Sequence, residues 1–253
     1  MGPSADLPRS ARLPQPSRSR WLTYASPARF DPLARRLVPW FAVAAALFLI
    51  AGIYLGFGVA PTDAQQGEVY RIIFIHVPAA WMSMFIYLVM ASYCALALVL
   101  RTRLSSMMAS ALAPTGALFT FIALWTGALW GQPTWGTWWV WDARLTSELI
   151  LLFLYLGFLA LENAIDDPRR AERACAVLAL VGVVNIPIIY FSVQWWNTLH
   201  QGASVSLTAA PSMAHTMLAG MLLMTLACWM YTIAVALVRV RCILRERAEP
   251  RLI

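Results

Sequence analysis

Residues 77–100 read VPAAWMSMFIYLVMASYCALALVL, with no charged side chain from end to end. Crossing the hydrocarbon core of a bilayer takes about 20 apolar residues at ~1.5 Å of helical rise each. This run is therefore long enough to span a membrane. Working outward, further apolar runs occupy roughly 40–60, 107–130, 147–164, 175–195 and 212–238. The connections between them are short, so no separate soluble domain is expected. Composition agrees: of 253 residues, 60% are hydrophobic and 12% charged, and mean hydropathy is +0.66. Soluble domains carry about a quarter of charged residues. The reading is an all-α, polytopic membrane protein with six transmembrane helices.

Charge sets the orientation of these spans. All 19 basic side chains are arginine, and only Arg71 and Arg144 fall at one end of the spans. The others lie before the first span, after the second and fourth, or after the sixth. The positive-inside rule assigns that side to the cytoplasm, with both termini there. The net charge of +7 then reflects topology and acidic lipid, not nucleic-acid binding. Residues 1–36 read as a disordered basic cytoplasmic tail, 37–245 as the membrane domain and 246–253 as a short cytoplasmic tail. Arg35-Arg36 before an apolar run suggests a twin-arginine export signal, but an uncleaved first span fits its length better. Four cysteines show neither CxxC nor CxxCH spacing, which gives no disulfide framework and no covalent haem attachment.

The segment 130–142, WGQPTWGTWWVWD, contains Trp130, Trp135, Trp138, Trp139 and Trp141 and ends on Asp142. It lies on the outward side, between spans three and four. Trp125 sits just below it, while Trp81, Trp195 and Trp196 belong to the same half of the molecule. Aromatic belts form at both membrane faces, so this one-sidedness asks for a flat apolar ligand. A short helix starting at Pro133 would put Trp135, Trp138, Trp139 and Asp142 on one face. An extended segment would still align Trp139 with Trp141. Thr146-Ser147-Glu148 reads as an N-cap and acidic first turn for span four, giving Glu148 a structural role.

His76, in FIHVPAAW, and His200, in WWNTLHQG, both fall at outward span ends beside tryptophan. His215 has no such company and is read as structural. A planar macrocycle with an axially ligated metal and anionic edges would use all these features, and haem fits. Arg71 and Arg144 are candidate partners for its propionates. The equal alternative is that they pair with Glu68 and Asp142 to order the loops. Asp142 reads as a loop organiser.

WGQPTWGTWWVWDARLTSELILLFLY resembles the tryptophan-rich "WWD" signature of bacterial haem-handling proteins. Together with FIHVPAAW and WWNTLHQG, it is similar to the haem exporter protein C (CcmC) family of cytochrome c maturation system I, over roughly residues 37–245. The resemblance implies that His76 and His200 are axial ligands of haem b, carried as cargo at the periplasmic face of the inner membrane. It implies that the loop 130–142, with Trp130, Trp135, Trp138, Trp139, Trp141 and Asp142, forms the hydrophobic platform; Trp125, just below the loop, is a further candidate for contact with the cargo. The implied partners are a periplasmic OB-fold haem chaperone (CcmE), a small membrane protein (CcmD) and an ABC transporter pair (CcmA and CcmB). No G-x-x-x-x-G-K-[ST] loop occurs in the chain, so ATP dependence would come from those partners. The expected role is haem delivery, not catalysis. The competing reading is a b-type cytochrome subunit for electron transfer, which normally buries both histidines within the bilayer. A haem lyase would need further spans and a large outer domain.

Overall fold

The computed structural model describes residues 26–200, 205 and 211–248. The described residues form seven α-helices: α1 Pro27–Ile53, α2 Ile73–Leu100, α3 Arg103–Trp135, α4 Ala143–Ala164, α5 Pro168–Gly182, α6 Asn185–Trp195 and α7 His215–Ala248. They form six segments long and apolar enough to cross a membrane, because α5 and α6 run on as one span, Pro168–Trp195. The six expected spans are thus present, and most extend beyond their apolar cores. The expected tail over 1–36 lies outside the described residues up to residue 25, and its last part is helical, since the helix of the first span starts at Pro27. Pro27 suits the first helical position, where a missing N–H costs nothing.

Local chemistry accounts for the breaks. Pro187 has no N–H to donate to the Val183 carbonyl. There the backbone tightens to i→i−3 bonds, Val183 N–H to Leu180 O and Val184 N–H to Val181 O, and α5 gives way to α6. At the far end of the bundle Asp167 caps α5, its Oδ1 accepting from the amides of Arg169 and Arg170 at 2.8 and 3.0 Å. Asp142 does the same for α4, accepting from the Leu145 amide at 2.8 Å. The expected cap at Thr146–Glu148 is therefore corrected. The aspartate in extended conformation captures the helix start first, and Ser147 bonds back to Ala143 O inside α4.

A second correction concerns the tryptophan segment. No short helix forms over 133–142. Instead α3 continues through Pro133 to Trp135 and stops at Gly136, whose φ of +76° closes the helix with its N–H on Gln132 O. Trp130 and Trp135 therefore ride on α3, and only Trp138, Trp139 and Trp141 lie in the connection to α4.

The core is built around α2, which packs mainly on α3 and also against α5 and α7, while α1 leans on α7. Polar links fix α4 against α2 inside this apolar packing. Ser83 Oγ donates to Glu148 Oε1 at 2.7 Å, and the buried Tyr155 hydroxyl donates to Ser83 O at 2.8 Å. On the outside, α1 turns Trp40, Val43, Leu47 and Ile50 away from the bundle, a surface that lipid tails solvate.

Candidate functional site

The starts of α2, α4 and α7 and the ends of α3 and α6 share one end of the bundle. His76 enters there, in the first turn of α2, and is buried with 7% of its surface exposed. Its Nδ1 lies 3.1 Å from Thr126 Oγ1 on α3. The Trp130 ring meets the imidazole edge-on, 5.6 Å between centroids. His200 belongs to the non-helical stretch after α6. Its ring centre is 6.0 Å from that of His76 with the planes inclined by 32°, and 6.0 Å from Trp135. Two imidazoles remote in sequence thus come close together.

They open on a cleft of about 610 Å³, counting its mouth, lined also by Trp130, Trp135, Trp138, Trp139, Arg144 and Glu148. Apart from the two histidines and the indoles, the described residues that bring polar side chains to it are Thr137, Arg144 and Glu148. Trp130 is oriented by its indole N–H, which donates to Gln66 Oε1 at 2.7 Å. Trp139 is braced edge-to-face by Trp141 at 5.3 Å. Arg144 reaches in from the first turn of α4 and donates from Nη1 to Ile189 O at 2.7 Å. It makes no ion pair with Asp142 among the described residues.

Other candidate residues are placed elsewhere. Arg71 pairs with Glu68 and donates to the carbonyls of Gly56 and Ala60, closing the open end of the first span. It does not line the cleft. Trp125 faces outward, stacked on Phe121, and Trp141 is 77% exposed, touching the cleft through Trp139 alone. Asp142 acts as the cap of α4. His215 is exposed at the start of α7.

Two features of the site escaped the sequence reading. Glu148 is buried in the cleft wall, with Oε2 lacking a partner among the described residues. A lone carboxylate in an apolar span is itself a signal of function, but its place near a helix start suggested a cap. Thr126 carried no signal at all.

Comparison with known proteins bears on this arrangement. The model of the family described as heme exporter protein C matches residues 20–252. The chain belongs to the heme exporter protein C family. Heme exporter protein C of Escherichia coli K12 is 56% identical over 180 residues, covering 71% of this chain and 74% of that protein. The Bradyrhizobium diazoefficiens protein of the same name is 51% identical over 226 residues, 89% of this chain and 86% of its own. That of Haemophilus influenzae is 47% identical over 232 residues, 91% and 94% respectively. Similarity to heme exporter protein C therefore extends across the two histidines, the tryptophan segment and the helices that position them.

Proposed function

We propose that this chain binds haem as cargo in the cleft and hands it to a periplasmic haem chaperone (CcmE) during c-type cytochrome maturation. Family membership supports a haem-handling, transport role. The observation that carries the reading is the closeness of His76 and His200, with ring centres 6.0 Å apart at a tryptophan-lined cleft. Two metal–nitrogen bonds of about 2 Å each are of the length needed to hold one iron between rings so spaced.

Each remaining group has a part in this scheme. Trp130, Trp135, Trp138 and Trp139 cover apolar macrocycle, each able to contribute a few kcal/mol by burial. Arg144 serves a propionate, since guanidinium matches carboxylate in geometry and charge. His76 is fixed inside α2 and His200 sits on irregular chain, so the latter ligand is the one that yields when the cargo leaves. The chain lies in the bacterial inner membrane with both termini cytoplasmic, as its arginines favour. CcmD and the CcmA/CcmB pair complete the assembly, and ATP hydrolysis belongs to that pair.

The test is optical titration of the purified full-length chain with haemin, followed by transfer to the chaperone. His76→Ala and His200→Ala are each expected to weaken binding by more than the roughly 10–100-fold typical of outer-shell changes, and to abolish transfer. Unaltered Soret absorbance and affinity in both variants would refute the ligand assignment.

A further inference from the structure

We infer that Thr126 is a positioning residue that fixes the tautomer of His76, so that Nε2 carries the lone pair offered to the cargo iron. The inference rests on the haem-binding reading above and adds a residue to it.

A threonine hydroxyl has one proton to give. That of Thr126 goes to Ile122 O, one turn back on α3, at 2.6 Å, with Ala123 O further off at 3.4 Å. Only oxygen lone pairs then remain to face His76 Nδ1 at 3.1 Å. A lone pair opposite a lone pair repels, and both side chains are buried, with 7 and 8% of their surface exposed. Water therefore does little to relieve a mismatch, and an unmet polar group is costly. The contact is favourable when Nδ1–H donates to Thr126 Oγ1, on the same side as the Ala123 carbonyl that also bonds His76.

A neutral imidazole protonated at Nδ1 holds its free pair at Nε2. That is the form able to ligate iron, and the other nitrogen's hydrogen bond holds the ring's orientation. The neighbouring residue contributes through its size. A Cβ at Gly127 would lie 3.1 Å from His76 Cε1, tighter than ordinary contact, so a side chain there makes the ring shift by a few tenths of an ångström. Adjacent positions on α3 thus set the proton and the plane of one imidazole.

The experiment uses the full-length chain in detergent micelles and haemin as probe. Thr126→Val keeps the shape and removes the acceptor. It is expected to weaken haemin binding by roughly 10–100-fold and to shift the visible bands from low-spin toward high-spin, with a lowered but still cooperative melting transition without haemin, because a buried ring nitrogen loses its partner. Thr126→Ser is expected to restore the wild-type spectrum, and Gly127→Ala to perturb it. Wild-type affinity and spectrum in Thr126→Val, alongside their loss in His76→Ala, would overturn this inference and leave the ligand assignment standing. Retention in His76→Ala would remove both. Equal loss in Thr126→Val and Thr126→Ser would make the role one of packing and overturn it. Should the valine variant fail to fold, ¹⁵N NMR of histidine-labelled wild-type chain decides: a proton on His76 Nδ1 is expected, and a proton on Nε2 contradicts it.

Discussion

His76 and His200 reach the cleft from unlike backbone, one from a helix turn and the other from irregular chain, and the two cations differ as sharply. Arg144 lines the cleft with one nitrogen bonded to Ile189 O, which leaves donors of the guanidinium fork for a carboxylate. Arg71 commits its fork to Glu68, Gly56 and Ala60. Arg144→Ala is therefore expected to weaken haemin binding with little change in melting temperature. Arg71→Ala is expected to do the reverse, and paired titration and melting curves check this. Sequence spacing placed both cations at the proper end but held no information on which carbonyls each would find. The histidines were legible because imidazole beside tryptophan at an outward span end is rare. Thr126 was not, because threonine back-bonding within helices is common and its partner lies 50 residues away in sequence.

At the scale of elements, the register of α4 against α2 positions Arg144 relative to His76. That register is held by Ser83, which meets both Glu148 and Tyr155. Ser83→Ala leaves both oxygens of the buried Glu148 side chain without protein donors, and is expected to cost about 1–3 kcal/mol. Tyr155→Phe removes one neutral hydrogen bond and is expected to cost only about 0.5–1.5 kcal/mol. Unfolding in denaturant, monitored by tryptophan fluorescence in micelles, gives both values, and equal losses would contradict this ordering. The connection from α3 to α4 gives a second case. Asp142→Asn keeps an N-cap acceptor, so haemin binding is expected to survive it. Asp142→Ala loses the cap, about 1 kcal/mol, and frays the turn carrying Arg144. If the asparagine variant binds no haemin, the carboxylate charge itself matters. The spans were readable because each exceeds the length any other apolar element needs. The end of α3 was not, since proline suggested a helix start while Gly136 three residues later decided where the helix stops.

For the whole molecule, charge asymmetry and the site lie at opposite ends of one bundle. Arg101, Arg103, Arg169 and Arg170 flank the turns at the far end, whereas the cleft is served by Arg144 alone among the described arginines. Exposed Cys242 near the end of α7 and a Thr137→Cys variant in the cleft rim are therefore expected to react with impermeant maleimide from opposite sides of membrane vesicles. Labelling of both from one side would contradict the topology. This large-scale plan was legible because it depends on totals of charge and apolar length, which survive any error in a single residue. How His200 meets His76 depends on the return of the α6 end across the bundle, which no local pattern encodes. The central claim is that both imidazoles hold one iron at once. Electron paramagnetic resonance of the full-length chain loaded with ferric haemin tests it most directly. A low-spin signal of bis-imidazole type, converting to high-spin in either His76→Ala or His200→Ala, is the expected result. A high-spin signal in the wild-type chain, or a low-spin signal surviving in both variants, would contradict the account.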